Sequence, residues 1–368
     1  MQAVILAGGQ GVRLLPLTLH TPKPILPILG RPLLAYLVQH LASQGIEEVY
    51  VTTGYLGDAI RRVAVAMEGD ASVHVVQELE PRGTAGAVFD LLPRLHSPFL
   101  VVSGDAVLAL DVAALVAAHR KASSIATLAV MAPAERVRFG VVDVAGGFIT
   151  RFAEKPEITE LLPGLLVNSG CYLLEHEALS DAAEDRPVDF AKDVFPLLLQ
   201  KGHRLGATLA LRFWRDIGIP ESFREANFEA LSGSWPWSAP ERGTPLAAGK
   251  DVMIDGAVGF GKGVRIGDRC CIHGPAYLGD GVRLADGSEV ARSVLLSNSR
   301  TSGPCSLRDA VVDTGVSVPT GAAISGALLG RIGAGLGGAD EVDPSVGAYP
   351  RGGSMPQVRM HGRSAAQP

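Results

Sequence analysis

The most restrictive feature of this 368-residue sequence is a six-residue repeat of apolar side chains in its C-terminal part. One set keeps this step through seven members: Ile254, Phe260, Ile266, Ile272, Leu278, Leu284 and Val290. A second set keeps the same step, with one Ser among its members: Val258, Val264, Cys270, Ala276, Val282, Ser288 and Val294. This period predicts a left-handed parallel β-helix, in which three hexapeptides form one triangular coil. A string of antiparallel strands is the alternative, but it would not hold one phase through seven repeats.

The repeat has limits at both ends, and these limits divide the chain. It falters over residues 297–306 and resumes in another phase at Val312, Val318 and Ile324. The β-helix is therefore predicted over residues 251–330. The Gly-, Ser- and Pro-rich residues 331–368 are predicted to form a disordered tail. Residues 232–250 break every periodicity and are predicted to be a linker.

Residues 1–231 are expected to form a separate domain. One hydrophobic core rarely serves more than roughly 250–300 residues, and this chain has 368. Short β-rich runs alternate here with amphipathic stretches: Ala3–Leu6, Leu33–Gln44, Val49–Thr53, Asp58–Met67 and Val73–Val76. This alternation favours an α/β layer structure with a mainly parallel sheet. Ligands of such sheets lie beyond the carboxyl ends of the strands. The residues that directly follow these runs are therefore the candidates for a functional site.

Composition and charge narrow the classes of ligand and location. The net charge of −5 provides no overall field that would attract nucleic acid or an anionic membrane, so any anionic ligand must be held by local groups. The four cysteines show neither Cys-x-x-Cys nor His spacing for zinc, and we expect them to be reduced and buried. The N-terminus has no basic region, and its apolar run ends at Gly8, which favours the cytoplasm.

A glycine-rich segment, Gly8–Thr18, directly follows the first predicted strand and is called the glycine loop below. Glycines let backbone N–H groups encircle phosphate oxygens, and Arg13 adds a forked cation. The loop lacks the Gly-Lys-Ser/Thr of a Walker A motif, and Leu14 replaces the third Gly of the dinucleotide fingerprint. A tight connection between a strand and a helix is the alternative explanation for the loop.

Lys23 lies between two prolines, which reduce the entropy that the chain loses when it presents the ammonium to a phosphate. It is either a second phosphate ligand or an ordinary surface lysine.

Two aspartates have the placement expected of a magnesium site. Asp105 follows the buried run Phe99–Val102, and Asp216 lies in the apolar frame Phe213–Gly218. Carboxylates with phosphate oxygens as co-ligands suit Mg²⁺. A helix cap is the alternative role for Asp105, but Asp111 is better placed to cap the helix that follows.

Together these motifs resemble the sugar-phosphate nucleotidylyltransferase family, and within it the mannose-1-phosphate guanylyltransferases. The matching segments follow one another in order along residues 1–230: Gly8–Thr18, Lys23, Gly83–Gly86, Gly104–Asp105, Phe139–Val142, Glu154–Pro156, Asn168–Gly170 and Trp214–Gly218. The resemblance implies a Rossmann-like catalytic domain with a mainly parallel, mixed sheet. A C-terminal left-handed β-helix is also common in this family.

The resemblance also implies roles for particular residues. Arg13 and Lys23 would hold the triphosphate, Lys155 would contact the sugar phosphate, and Asp105 and Asp216 would bind Mg²⁺. Residues around the sugar would be Gly140, Glu154 and Asn168. Residues lining the nucleotide pocket, with Glu78 nearby, would be Leu6, Ala7, Gly8, Gly9, Gly11, Gln77, Gly83 and Thr84. The implied reaction is in-line attack by the sugar-phosphate oxygen on the α-phosphorus of the nucleotide, with release of pyrophosphate.

The sequence departs from the family pattern in three places. Val12 replaces a usual Thr, Leu15 stands where a basic residue is common, and Ser103 replaces a frequent Asn. Loss of one hydroxyl contact to phosphate would weaken nucleotide binding by roughly 1–2 kcal/mol. The backbone N–H groups of the loop remain, so activity is expected to survive.

Several alternatives stay open at this point. GTP with mannose 1-phosphate is the first choice of substrates, because Gly83–Gly86 and Val188–Pro196 look closest to guanylyltransferases; UTP or dTTP with glucose 1-phosphate is the second. A catalytically silent regulatory relative is another possibility, although the charged motif residues are retained. Hexapeptide β-helices also serve acyltransferases, for which His273 would be the base. We further expect a homo-oligomer formed through the open end of the β-helix.

Overall fold

The computed structural model describes residues 1–67, 71–132, 140–153, 164–180, 186–237 and 243–330. The tail predicted over residues 331–368 lies outside the described residues, as do Glu154 and Lys155. None of the described helices has the length and apolar character needed to span a membrane.

In its described residues, the N-terminal domain is built on a nine-stranded sheet, accompanied by two small antiparallel sheets. Its strands in chain order are β1 (Gln2–Leu6), β2 (Pro27–Ile28), β3 (Arg31–Pro32), β4 (Glu48–Thr53), β5 (Ser72–Gln77), β6 (Phe99–Ser103), β7 (Ala106–Leu110), β8 (Ala126–Met131), β9 (Val141–Ala145), β10 (Phe148–Ala153), β11 (Leu166–Leu174), β12 (Leu205–Thr208) and β13 (Leu211–Asp216). The large sheet has the order β5-β4-β1-β6-β11-β8-β12-β10-β9. All of its strands run one way except β10 and β11. The predicted mainly parallel, mixed sheet is confirmed.

Helices cover both faces of this sheet, as the alternation of strand and helix predicts. They are α1 (Leu33–Ser43), α2 (Gly57–Val65), α3 (Gly83–Phe89), α4 (Val112–Ala122), α5 (Phe195–Gln200) and α6 (Pro220–Ser232). Side chains alternate between faces along a strand, so Val4 packs in a cluster with α3 and α5, whereas Ile5 packs with α1, α2 and α4. Asp111 caps α4 as expected, since its Oδ1 accepts a hydrogen bond from the N–H of Ala114 at 2.9 Å.

Over residues 243–330 the C-terminal domain consists of three five-stranded parallel sheets, and the predicted β-helix is confirmed. Its strands are β14 (Ala247–Ala248), β15 (Met253–Asp255), β16 (Val258–Phe260), β17 (Arg265–Ile266), β18 (Cys271–His273), β19 (Ala276–Leu278), β20 (Arg283–Leu284), β21 (Glu289–Ala291), β22 (Val294–Leu295), β23 (Arg300–Thr301), β24 (Ser306–Arg308), β25 (Val311–Val312), β26 (Ser317–Val318), β27 (Ala323–Ser325) and β28 (Leu328–Leu329). The residues of the two repeating sets point inward and are buried, with two exceptions: Ile254 is 42% exposed, and Val294 is buried but faces outward. Ile254 belongs to the first coil, which has no coil before it in the described part of the chain.

A change in coil length explains why the repeat falters after Val290. Early coils contain 18 residues, as the pairing of Met253 with Cys271 shows, whereas the pairing of Glu289 with Ser306 gives a coil of 17. One corner of each later coil is therefore a five-residue step, which shifts the phase of the inward positions. The buried residues that follow this shorter step include Leu295, Val312 and Leu329.

The two domains share one buried apolar cluster, which we call the junction cluster. The third face of the β-helix, formed by β16, β19, β22, β25 and β28, turns its outward side chains toward the N-terminal domain. The junction cluster combines these side chains with residues of the glycine loop, β2, α1, β7 and α6 and of the segments beside them: Leu14, Leu17, Leu26, Ile28, Leu29, Leu33, Tyr36, Val107, Ile217, Phe223, Ala226, Phe228, Ala230, Leu231, Trp235, Tyr277, Val294, Leu296, Val311 and Leu328.

Two expectations need correction in detail. Part of the segment expected to be a linker is packed, because Trp235 is only 6% exposed and Ala247–Ala248 forms the first strand of the β-helix. The cysteines were expected to be buried, and Cys171, Cys270 and Cys305 are, but Cys271 is half-buried because it faces outward on β18. All four thiols are free.

Candidate nucleotide and phosphate site

Four parallel strands end at one edge of the large sheet, and the residues that follow them enclose a cleft of about 750 Å³. The strands are β1, β4, β5 and β6, so the glycine loop, Gly54, Glu78 and Asp105 all reach the cleft. All eight residues predicted to bind the nucleotide line it: Leu6, Ala7, Gly8, Gly9, Gly11, Gln77, Gly83 and Thr84. Arg13 and Lys23 line the same cleft. Their binding roles stay predictions, but the sequence placed them correctly at one edge of the sheet.

The glycine loop depends on glycine at two points. A Cβ on Gly8 would lie 2.7 Å from Glu78 Oε1, so the missing side chain lets this carboxylate approach the loop backbone. Gly11 has a φ of +64°, which disfavours other residues, and its carbonyl accepts a hydrogen bond from Thr18 Oγ1 at 3.0 Å. Val12, where the family usually has Thr, is 48% exposed and makes no hydroxyl available to the cleft.

Asp105 and Asp216 meet because two strands distant in sequence pair. Strand β13 runs antiparallel to β7, with Asp216 opposite Ala106, the neighbour of Asp105. The ammonium of Lys23, a side chain only 6% exposed, bridges the two carboxylates at 2.8 Å from Asp105 Oδ2 and 3.2 Å from Asp216 Oδ1. Ser103 Oγ donates to the second oxygen of Asp105 at 2.6 Å. A lysine predicted to be a phosphate ligand thus also offsets part of the negative charge of the two proposed metal ligands.

The two carboxyl groups differ in their electrostatic environment. Desolvation works to raise the pKa of Asp105, but the charge and hydrogen bond of Lys23, with help from Ser103 and Arg13, hold that pKa below its ordinary value. Desolvation, together with the neighbouring Asp105 charge, raises the pKa of Asp216 despite Lys23. A further cation in this place would favour the ionised form of Asp216.

The donor set suits a hard cation whose coordination a ligand completes. Within the described residues, no three His, Cys, Asp or Glu side chains form a complete metal cage. Mg²⁺ is usually bound by one or two carboxylates plus waters and phosphate oxygens rather than by an all-protein cage. Asp105 and Asp216, which are close enough for one ammonium to bridge, could fill that role.

Arg13 lies at the mouth of this arrangement, in a 3-10 turn over Val12–Leu14. Its side chain is 52% exposed, and its Nη2 lies 3.9 Å from Asp216 Oδ2. Gly218 borders both groups, since a Cβ there would lie 2.3 Å from Asp216 Oδ2 and 2.8 Å from Arg13 Nη2. The guanidinium is therefore free to turn toward an anion in the cleft. Because Gly218 has no side chain, it leaves room for the guanidinium of Arg13.

The opposite wall of the cleft is held by a contact between α3 and the segment before α5. Thr84 Oγ1 donates to Asp189 Oδ2 at 2.9 Å and accepts from the N–H of Phe190 at 3.0 Å. Gly83 packs so closely on Val188 that a Cβ would lie 2.4 Å from its carbonyl oxygen. Thr84 thus contributes to the shape of the cleft as well as lining it.

Sequence reasoning assigned no site role to Asp189 or Tyr55, which both line the cleft. Asp189 lies in the stretch Val188–Pro196 that resembles the guanylyltransferases, but its partner Thr84 is 105 residues away, so nothing local marks the contact. Tyr55 follows β4 at the same sheet edge as the other strand-end residues, and that position could have indicated it.

Two of the predicted sugar residues, Gly140 and Asn168, lie in a different part of the sheet. The N–H of Asn168 donates to the carbonyl of Gly140 at 2.8 Å, and Asn168 Nδ2 donates to the hydroxyl of Tyr172 at 2.9 Å. Gly140 and Asn168 are therefore neighbours, but neither lines the cleft described above. Glu154 and Lys155 lie outside the described residues, so their predicted contacts with the sugar phosphate stay predictions.

The family model of nucleotidyl transferases matches residues 2–233, and that of the GlmU-like C-terminal hexapeptide matches residues 265–327. Mannose-1-phosphate guanylyltransferase of Mycobacterium tuberculosis is 32% identical over 79% of this chain and 83% of its own length. A UTP–glucose-1-phosphate uridylyltransferase of Synechocystis is 31% identical over 85% of this chain and 87% of its own length.

Among solved structures, HddC from Yersinia pseudotuberculosis in complex with GMP-PN has a TM-score of 0.52 and 28% identity, and the match covers 61% of this chain and 97% of that one. The ordered motifs, the cleft and these matches agree on one reaction class, in which a nucleotidyl group is transferred to a sugar 1-phosphate. The chain belongs to the sugar-phosphate nucleotidyltransferase family and is a nucleotidyltransferase with a C-terminal hexapeptide β-helix.

Proposed function

We propose that this enzyme transfers a guanylyl group from GTP to mannose 1-phosphate, with Mg²⁺ as cofactor, and releases pyrophosphate and GDP-mannose. Relatives such as the M. tuberculosis protein carry the name of this activity. The observation that carries the choice of base is the carboxylate of Glu78, which lines the cleft directly beside Gly8.

A carboxylate is a better partner for guanine than for uracil or thymine. Its two oxygens accept hydrogen bonds only, and guanine presents two adjacent donors, N1–H and the N2 amino group. Uracil and thymine present one N–H between two carbonyl oxygens, which an ionised carboxylate would repel. The backbone N–H of Arg82 donates to the Glu78 carboxylate and helps to hold it in place.

The phosphate end of the cleft supplies the charge that the reaction requires. Arg13 and Lys23 would hold the triphosphate, while Asp105 and Asp216 would bind Mg²⁺, which neutralises charge on the phosphates when bound. Lys155 would contact the sugar phosphate. The attacking phosphate oxygen is already ionised at neutral pH, so the enzyme needs no general base. It must align two anions, for which positioning and fixed cations provide most of the rate.

Transfer of uridylyl to glucose 1-phosphate is the second candidate, because a relative with that name matches the chain over a greater length. The two candidate functions require different hydrogen-bonding groups at position 78, where the side chain would contact the base. Exchange of Glu78 for Gln places an amide donor and an acceptor where two acceptors stood, which suits a pyrimidine edge. Glu78→Gln is therefore the informative variant.

The test is pyrophosphate release with GTP, UTP, dTTP, ATP and CTP, each paired with mannose 1-phosphate and glucose 1-phosphate. We expect the highest kcat/KM for GTP with mannose 1-phosphate. Glu78→Gln should lower kcat/KM for GTP by about 10–100-fold, as expected for the loss of a charged hydrogen bond of about 1.5–3 kcal/mol. Glu80→Gln, two residues away, is the matched control. A preference for UTP in the unaltered chain would reject the guanylyl assignment.

We also propose that the chain self-associates through the first coil of the β-helix. The strands β14, β15 and β16 have no neighbouring coil on one side within the described residues. Three apolar residues of or beside this coil are exposed: Leu246 at 64%, Met253 at 56% and Ile254 at 42%. Unpaired strand edges with exposed apolar side chains favour association. Light scattering that gives a monomer mass, or a mass unchanged by Met253→Lys and Ile254→Lys, would contradict this.

A further inference from the structure

The glycine loop has two sides with opposite environments. On the cleft side, the Arg13 side chain is 52% exposed, and its ion-pair contact among the described residues is with Asp216, at 3.9 Å. On the other side, Leu14 and Leu17 are completely buried in the junction cluster. The 3.9 Å contact with Asp216 is too long to fix the guanidinium in place. The position of the Arg13 backbone is therefore set mainly by the packing of the adjacent residue Leu14 in the junction cluster.

The β-helix supplies much of the surface against which the loop packs. Leu296, Val311 and Leu328 project from successive coils into the cluster that contains Leu14 and Leu17. The end of the last coil also touches the loop directly, since a Cβ on Gly330 would lie 2.2 Å from Cγ of Pro16. Gly330 and Pro16 are therefore closely packed, and Pro16 lies three residues after Arg13.

The same β-helix face is tied to the element that carries Asp216. Helix α6 begins two residues after Gly218, and its Arg224 donates to the carbonyl of Asp309 in the β-helix. Arg292 of the β-helix pairs with Asp309 at 3.0 Å and with Glu225 of α6 at 3.3 Å. Both groups that meet at the phosphate end of the cleft, Arg13 and Asp216, thus lie next to elements anchored on the β-helix.

We propose that the later coils of the β-helix, through Leu328 and Val311, position the glycine loop and thereby Arg13 for phosphate binding. The β-helix is then a working part of the phosphate site and not only a means of association. This inference rests on the proposed nucleotidyl transfer, in which Arg13 contacts the triphosphate. Displacement of a positioning group by about 1 Å can cost on the order of 10²-fold in rate even when the altered residue is far from the chemistry.

The chain offers an unusually well-matched pair of variants. Leu328 and Leu329 are neighbours in strand β28, both are buried, and both are leucines. Leu328 faces the junction cluster, whereas Leu329 faces the interior of the β-helix. Leu328→Ala and Leu329→Ala therefore remove the same atoms from the same strand, but only the first leaves a cavity in the junction cluster, to which Leu14 and Leu17 of the loop belong. Val311→Ala and Val312→Ala repeat the comparison one coil earlier, for the case that a leucine variant fails to fold.

Two readouts test the proposal: kcat at saturating substrates, and the rise in melting temperature caused by saturating GTP with Mg²⁺. We expect Leu328→Ala to lower kcat about tenfold and to reduce the GTP-induced rise. Leu329→Ala should lower the melting temperature of the free protein while leaving kcat within about twofold. Leu328→Met, which refills the cavity, should restore kcat.

Equal kcat values in the two alanine variants, whether both reduced or both unchanged, would overturn the positioning role. The melting readout separates this result from a failure of the proposed reaction. The unaltered chain could bind GTP but turn over no pair of substrates. In that case, a smaller GTP-induced rise in melting temperature for Leu328→Ala than for Leu329→Ala still supports the positioning role.

Discussion

Asp216 lies beside Asp105 because strand β13 pairs antiparallel with β7 and sets Asp216 opposite Ala106. The buried ammonium of Lys23 then bridges the two carboxylates at 2.8 and 3.2 Å. Three charged groups from separate parts of the chain form one cluster at the end of the cleft. Its net charge of −1 is suited to accept a further cation together with an anionic ligand.

Lys23→Met should destabilise the free protein, because it leaves two neighbouring carboxylates without their shared partner. Since Asp105 is 43% exposed, solvent screens part of the effect, and we expect a loss of about 1–3 kcal/mol in the free energy of unfolding. Millimolar Mg²⁺ should recover part of this loss. Denaturant unfolding with and without Mg²⁺ measures both, and the exposed Lys262→Met is the control. An unchanged stability would mean that the bridge contributes nothing.

Arg13→Ala should keep the fold, since the side chain is half exposed and its ion-pair contact with Asp216, the one found within the described part of the chain, is long. A phosphate-stabilising arginine is worth on the order of 10³-fold in rate, or about 4 kcal/mol of transition-state stabilisation. We therefore expect a large fall in kcat with an unchanged melting temperature. Unfolding on this substitution would instead identify Arg13 as a structural residue.

Gly218→Ala should act through Arg13 and Asp216 together. The new Cβ would lie within 2.8 Å of the guanidinium and even closer to Asp216, so one of these groups must move. We expect kcat to fall about 10–100-fold. In the double variant with Arg13→Ala, the loss of kcat should be smaller than the sum of the two single losses, since coupled residues are not additive. Fully additive losses in this double-mutant cycle would show that Gly218 acts elsewhere.

The KM for GTP should depend on the ionisation of Glu78. Desolvation, together with the Asp90 charge, raises the pKa of Glu78 above the ordinary Glu value. A raised carboxyl pKa means that the charged form is lost at a higher pH on acidification. KM for GTP should therefore rise as the pH falls, beginning above the range of an ordinary glutamate. In Glu78→Gln this dependence should disappear; its persistence would assign the titration to another group.

Local patterns made much of this structure predictable. In the 18-residue coils the inward residues repeat every six positions, so the periodicity of Ile266, Ile272 and Leu278 alone indicated the coils. The cleft residues follow directly after strands, and parallel strands end at one edge of a sheet. The position of Gly8, Gln77 and Asp105 at or just after the end of a predicted strand was therefore enough to predict that they lie at the same edge of the sheet.

The features that could not be predicted depend on long-range pairing or on packing between domains. Nothing near Asp216 shows that β13 pairs with β7, about 110 residues earlier. The contact of Thr84 with Asp189 spans 105 residues. The burial of Leu14 and Leu17 depends on coils that lie at the other end of the chain. The change from 18 to 17 residues per coil shifts the phase of the repeat without any break in the fold.

The most direct test of the proposed function is pyrophosphate release by the purified chain with GTP, mannose 1-phosphate and Mg²⁺. Release that requires both substrates and is lost in Asp105→Ala, with the fold intact by circular dichroism, is the expected result. No release from any pair of nucleoside triphosphate and sugar 1-phosphate, in a folded protein that contains Mg²⁺, would contradict the proposal and favour a catalytically silent member of the family.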